Sequence, residues 1–379
     1  MGRNENSLEL AIQFKGANQL GMKMNRWSIG LPFLILSLAL PGCDQKKETT
    51  SVTKVSGAIV TNAAATADAK IKTIKSRAEL GDPEAQFDLA VACYHGVYVP
   101  QDYAAAVKWY RAAAEQGYAW AQNNLGACYE TGKGVPQNYV EAVKWYQKAA
   151  DQGIAKAQNN LGLCFANGQG VAQDFTEAVL WYRKGAEQGW AEAEHDLGVS
   201  YENGRGVPQD YVQAMKWYRK AGEQGLAIAQ YNLGILYESG KGVPPDYEEA
   251  VKWYRAAAEQ GFAGAQNNLG SCYYSGRGVA RDSAEAMKWL EKAANQGLEH
   301  AQYNLAGIYY MDPSGGKDYR RAYKWFSLSA AQGDKDSVRM IEEIRLFMST
   351  EEVAEGERLV REFVPRKENV TASGNPLSR

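Results

Sequence analysis

The chain has 379 residues, with 42 Lys and Arg against 44 Asp and Glu and a formal net charge of −2. That balance excludes the broad positive field that nucleic-acid binding uses, so no nucleic-acid partner is expected. The three histidines (His95, His195, His300) lack metal-ligand spacing, and no metal or other cofactor is expected.

Taken in order, residues 1–21 show no periodicity and read as an extension ahead of the true start. Met22 or Met24 opens a basic stretch with Lys23 and Arg26, followed by an apolar run from Ile29 to Leu40 and then Gly42-Cys43. Residues 22–43 therefore have the layout of a secretory signal peptide. The run is shorter than the roughly 20 apolar residues that span a bilayer. Leu40-Pro41-Gly42-Cys43 resembles a bacterial lipobox. The resemblance implies that Cys43 is lipidated and becomes the mature N-terminus, with the protein anchored in the envelope and facing the periplasm. Asp44 directly after the cysteine implies retention in the inner membrane. Residues 44–63 are polar and patternless, which suits a flexible tether. Residues 64–80 predict an N-terminal capping helix.

From 81 to 332 the chain is seven units of one 36-residue pattern, marked by Trp109, Trp145, Trp181, Trp217, Trp253, Trp289 and Trp325. Such self-similarity predicts a solenoid, in which each unit buries its apolar faces against its neighbours. Residues 117–152 show the unit. A first helix is predicted over 119–131, with Ala121, Leu125, Gly126, Cys128 and Tyr129 on one face. A mid-helix glycine costs about 1 kcal/mol against alanine, yet five units keep one at the place of Gly126, which predicts close approach by the partner helix. Gly132 and Gly134 supply backbone for positive φ, and Pro136 stops the helix. The second helix is predicted to start at an Asx cap: Asp102, Asn138, Asp174, Asp210, Asp246, Asp282 and Asp318. Glu141, Glu177, Gln213, Glu249 and Glu285 are placed to complete capping boxes. Ala142, Trp145, Tyr146 and Ala149 form its expected buried stripe, and Gly153 its left-handed end.

The motifs A-x-A-Q-x-N-L-G-x-x-Y, G-x-G-V-P-x-D-Y and E-A-x-K-W-Y-x-x-A-A-x-Q-G, nearly complete in residues 225–260, resemble the Sel1-like repeat, a relative of the tetratricopeptide repeat. The resemblance implies an all-α, right-handed α/α superhelical solenoid of about seven helix-turn-helix repeats with terminal capping helices. It also implies an adaptor rather than an enzyme. After the repeats, residues 333–364 predict two C-terminal capping helices. The first carries Val338, Ile341, Ile344 and Leu346; the second is capped by Ser349 and Glu352 and runs to about Val364. Residues 365–379 read as a disordered tail, and Asn369-Val-Thr371 there matches a glycosylation sequon.

Four cysteines remain. Cys128, Cys164 and Cys272 share one repeat position and Cys93 is displaced from it by one. Equivalent positions in stacked pairs lie farther apart than the about 7 Å a disulfide allows, so all four are expected to be small core residues. Some cysteine-rich relatives carry a β-lactamase label. Ser51-Val-Thr-Lys54 and Ser314-Gly-Gly-Lys317 match only the first of the serine β-lactamase motifs, without S-D-N or K-T-G. No catalytic residue is assigned, and a β-lactamase-like hydrolase is the least favoured reading.

Binding remains. The residue before the recurring Leu is Asp88, Asn124, Asn160, Asp196, Asn232, Asn268 or Asn304. An amide both donates and accepts, so this ladder could bond a peptide backbone; it could equally bond a neighbouring helix and fix stacking. More variable positions (Trp120, Lys156, Glu192, Ile228, Gly264, His300), with His195, Tyr231 and Tyr303, could supply specificity. Trp120 is the candidate anchor, since aromatic residues dominate hot spots; it could instead cap the preceding unit. Lys108, Arg111, Lys144, Lys148, Lys216 and Arg219 on the second helices read as a solvated face. The expectation is a monomeric scaffold that holds a protein or peptide partner in the concave groove. The alternative is a secreted or surface factor that binds a host protein.

Overall fold

The computed structural model describes residues 69–311 and 316–366. The predicted extension, signal peptide, lipidated Cys43, tether, both S-x-x-K serines and the sequon lie outside the described residues, as do 64–68 of the predicted capping helix. Among the described residues every regular element is a helix. They form two compact units that meet in sequence between Gln188 and Gly189.

The first unit holds α1 (69–79), α2 (Pro83–His95), α3 (Tyr103–Glu115), α4 (Ala119–Thr131), α5 (Tyr139–Asp151), α6 (Ala155–Asn167) and α7 (Phe175–Glu187). The second begins with α8 (Ala191–Asn203), α9 (Tyr211–Glu223), α10 (Ala227–Ser239), α11 (Tyr247–Glu259) and α12 (Ala263–Ser275). It continues with α13 (Ser283–Asn295), α14 (Glu299–Met311), α15 (Tyr319–Ala331), α16 (Lys335–Arg345) and α17 (Thr350–Arg361). Within each unit, a first helix packs on the second helix of its own pair and on the second helix of the pair before it. That is the stacking rule of a solenoid.

The helix ends follow the sequence closely. All seven Asx caps are present, each side-chain oxygen accepting a backbone N–H of the first turn. The full capping box does not form in the repeats. The N–H of Asn138 donates instead to the Tyr129 carbonyl at 2.9 Å, and that of Asp210 to the Tyr201 carbonyl at 2.9 Å. With the N-cap N–H taken by the first helix, the glutamate turns outward: Glu141 pairs with Lys144 at 2.6 Å, and Glu177 accepts from the Trp181 indole at 3.0 Å. Among the described residues, Ser349 and Glu352 alone close a true box. At the other end, Gly153 (φ 86°) closes α5 as the sequence implied, with its N–H on the Ala150 carbonyl and that of Ile154 on the Ala149 carbonyl.

The core is built on the residue after the tryptophan. Tyr110, Tyr146, Tyr182, Tyr218, Tyr254, Leu290 and Phe326 are buried in every pair. Trp109, Trp145, Trp217 and Trp253 are only half-buried, so the expected stripe is corrected at Trp145. The five mid-helix glycines make room for that deeper side chain: a Cβ on Gly126 would lie 2.7 Å from the Tyr146 ring. The loop glycine has a second duty. Gly134 (φ 73°) sits so close to the preceding pair that a Cβ would lie 2.1 Å from the Tyr103 carbonyl oxygen, so the turn is also a stacking contact.

The C-terminal caps differ from expectation in detail. Ser337, Met340 and Ile344 form the buried stripe of α16, while Val338 and Leu346 are exposed. Ile344 is common to both readings; upstream, the face that packs on α15 lies one residue earlier, at Ser337 and Met340. The last helix stops at Arg361, and Phe363 turns back edge-on to Trp325 at 5.5 Å. The predicted tail begins ordered: the N–H of Arg366 donates to the Asn295 carbonyl at 2.7 Å. The rest of that tail, from 367, lies outside the described residues.

Candidate interaction surface on the first helices

The candidate ladder residues lie on the first helices, and the structure places Asn160, Asn232 and Asn304 in side-chain rungs. Asn160 Nδ2 donates to Asn123 Oδ1 of the preceding pair at 3.1 Å. Asn304 Nδ2 reaches Asn267 Oδ1 at 2.9 Å, and Asn232 Nδ2 meets His195 Nε2 at 3.2 Å. The lower rung residues also bond to their own neighbours: Asn123 donates to Asn124, Asn267 to Asn268, and His195 Nδ1 lies 3.0 Å from Asp196. Asn124 Nδ2 points at the Tyr110 hydroxyl, at 3.4 Å. The amide therefore joins one pair to the next, which is the stacking duty the sequence left open.

Access along this surface is uneven. Asp88, Asn124, Asn160, Asp196 and Asn232 are half-buried, whereas Asn268 and Asn304 are buried. His195, Tyr231 and Tyr303, expected to read a partner, are buried too. Tyr231 packs on Tyr254 and Phe262, and Tyr303 on Phe326, so their rings are spent on the core. The variable series is different. Trp120, Lys156, Ile228, Gly264 and His300 are partly exposed and Glu192 is exposed. Trp120 thus stands half-buried on the same helix as Asn124 and retains surface for a contact.

A second ladder escaped the sequence reading. Gln152 Nε2 donates to Gln122 Oε1 at 2.7 Å, and Gln122 Nε2 donates to the Ala114 carbonyl at 3.1 Å. One buried glutamine therefore ties its own second helix to the end of the preceding one. The same bond at a spacing of 30 residues recurs from Gln116 to Gln86, Gln188 to Gln158, Gln260 to Gln230, Gln296 to Gln266 and Gln332 to Gln302. At Glu194 the acceptor is a carboxylate, which takes the Gln224 bond at 2.7 Å but has no N–H to give. Burial raises the Glu194 pKa above the ordinary carboxylate value, and the Gln224 bond opposes that shift. Both glutamines recur in the quoted motif, the donor in all seven units and the acceptor in six, and that recurrence was the available signal.

The four cysteines among the described residues are free and buried, as expected of small core residues. Burial pushes the thiols of Cys128, Cys164 and Cys272 up to about 12, which removes nucleophilic character. Among the described residues no cluster of His, Cys, Asp and Glu could hold a metal ion.

The Sel1 repeat family model matches seven consecutive segments: 83–118, 121–154, 155–190, 191–226, 227–262, 263–298 and 299–334. This chain belongs to the Sel1 repeat family. It is similar to a solved protective antigen, c5321, present in uropathogenic Escherichia coli strains and displaying an SLR fold. The identity is 34%, the match covers 77% of this chain and 70% of that one, and the TM-score is 0.57. It is also similar to a Sel1 repeat protein from Oxalobacter formigenes, at 36% identity over 64% of this chain and 96% of that one, with a TM-score of 0.58. No curated protein matches. The Sel1 repeat chain is an all-α solenoid, the architecture of a protein-interaction scaffold.

Proposed function

We propose that this Sel1 repeat protein is a non-catalytic adaptor of a bacterial cell envelope, lipid-anchored through Cys43, facing the periplasm and holding a protein or peptide partner against its first helices. The observation that carries this reading is the division of labour on those helices. Repeated Asn and Gln side chains are used in stacking bonds, while the variable series from Trp120 to His300 keeps surface exposed in each compact unit. A frame that repeats and a surface that varies is the arrangement a scaffold needs to select one partner. The lipobox-like Leu40-Pro41-Gly42-Cys43 supports the anchor, and Asp44 supports retention in the inner membrane. The similarity to a protective antigen favours a second reading, a surface factor that binds a host protein.

Two measurements test the proposal. Labelled palmitate should be incorporated by the full chain and not by Cys43→Ser, with the label in the inner-membrane fraction; an unlabelled protein in the medium would favour the second reading. Crosslinking in intact cells followed by capture from detergent-solubilised envelopes should give one dominant envelope partner. Recovery of the adaptor alone, at every crosslinker length, would remove the support for this function.

A further inference from the structure

The second helices carry a repeated clasp that loses both of its partners between α5 and α6. Arg111 Nη2 donates to the Tyr129 hydroxyl at 2.7 Å, and Arg255 Nη2 to the Tyr273 hydroxyl at 2.7 Å; Arg219 and Tyr237 make the same bond. In each case the guanidinium lies over the phenol ring of the next pair, 6.0 Å from its centroid at Tyr129 and 5.5 Å at Tyr273. The equivalent positions between α5 and α6 are Gln147 and Phe165, and neither can make the clasp. Gln147 turns away and donates to Asp151 at 2.7 Å. A groove with a cavity of about 500 Å³ opens there, lined by Val143, Trp145, Phe165 and Val171 with Lys144 and Lys148 at its rim. Where only the arginine is replaced, by Glu291, Arg321 reaches back to the Tyr309 hydroxyl and the cavity is about 140 Å³.

We infer that the Trp145–Phe165 groove is a second binding site, distinct from the first-helix surface, for a partner peptide segment that inserts one aromatic side chain beside a carboxylate. Its volume falls in the range of sites that hold small ligands, and its lining is mainly apolar. The charge at the rim sets the companion group. Lys144 is neutralised by Glu141 at 2.6 Å, but Lys148 lies over the Trp145 ring at 4.0 Å, with no carboxylate in ion-pair range among the described residues. A carboxylate next to the inserted ring would meet that exposed cation at the rim, where charge complementarity selects the partner. The inference does not rest on the proposed adaptor role, since none of its residues takes part in the rungs.

The test uses the full chain and the peptide fluorescein-Gly-Gly-Asp-Glu-Phe-Asp-NH2, read by anisotropy, with every control peptide carrying the same label and spacer. Saturable binding is expected. It should weaken at least about tenfold in Gln147→Arg/Phe165→Tyr, which rebuilds a clasp the protein already uses elsewhere and should leave the fold intact by circular dichroism. Lys148→Glu should weaken it similarly, and the peptides with Ala for Phe or with Lys for the acids should bind at least about tenfold less. The Asn124/Asn160/Asn232→Ala variant should bind as well as the parent, which separates this site from the first-helix surface. Equal binding by the clasp variant, equal binding of the control peptides, or no binding by the parent chain up to millimolar peptide would overturn the inference.

Discussion

Glu194 occupies a position that six pairs give to glutamine, and the exchange of a single amide for a carboxyl has a measurable consequence. The group is 3% exposed and its pKa is raised by burial. A carboxyl whose folded pKa lies above its unfolded value favours the folded state only while it is protonated. The penalty is therefore absent below the unfolded pKa and grows as pH rises through the folded one. Glu194→Gln should raise the stability of the second compact unit at pH 7 by about 1 kcal/mol, and the gain should shrink toward pH 4; melting temperatures at both pH values check this. The cysteines give a second residue-scale prediction. With thiols raised to about 12, Cys128, Cys164 and Cys272 should react with a disulfide reagent at pH 8 at least about 1,000-fold more slowly in the folded protein than in denaturant. Rapid labelling under native conditions would show that the helices open locally.

At the scale of the helix pair, the fit of Gly126 against Tyr146 decides the packing distance. Alanine is the better helix former by about 1 kcal/mol, but its Cβ would lie 2.7 Å from a ring that has no room to retreat. Overpacking of this kind costs about 1–3 kcal/mol, so Gly126→Ala should lower the denaturation midpoint despite its helix propensity. The same pair shows a compensating exchange. The buried hydroxyls of Tyr146, Tyr218 and Tyr254 donate to Glu130, Glu202 and Glu238 at 2.6–2.7 Å. Where the buried residue is Leu290 or Phe326, without a hydroxyl, the glutamate position holds Tyr274 or Tyr310.

Much of this element scale was legible in the sequence, because caps and periodicity are local. The first-helix bounds 119–131, the seven Asx caps and the end at Gly153 were all readable from residue type and spacing. The capping boxes were not, since the N-cap N–H goes to a carbonyl nine positions back that the local motif does not contain. The tryptophan drew attention as the most conspicuous repeated residue, yet depth depends on which face meets the neighbouring helix, and that favoured the residue after it. The glutamine ladder and the Arg–Tyr clasp are bonds at 30 and 18 residues, visible in the sequence only once the helix pairing is known.

At the scale of the whole molecule, a repeat protein is as stable as its intrinsic units and their nearest-neighbour interfaces. The rungs act at those interfaces. Asn160→Ala should remove the bond to Asn123 and cost the first compact unit about 1 kcal/mol, a loss that chemical denaturation can resolve. The sequence located this ladder but left its purpose open, because an amide serves a peptide and a neighbouring helix equally well. Its bonds to Asn123, His195 and Asn267 supply the stacking duty, and the proposed recognition is assigned to Trp120 and the variable series.

The most direct test is crosslinked capture from detergent-solubilised envelopes, comparing the intact chain with Trp120→Ala/Ile228→Ala and with Asn124/Asn160/Asn232→Ala at a temperature where all three are folded. The variable-position variant is expected to lose the dominant partner, while the amide variant retains it with a lowered melting temperature. Loss of the partner from the amide variant alone, without loss of stability, would contradict the account and make the ladder itself the peptide site.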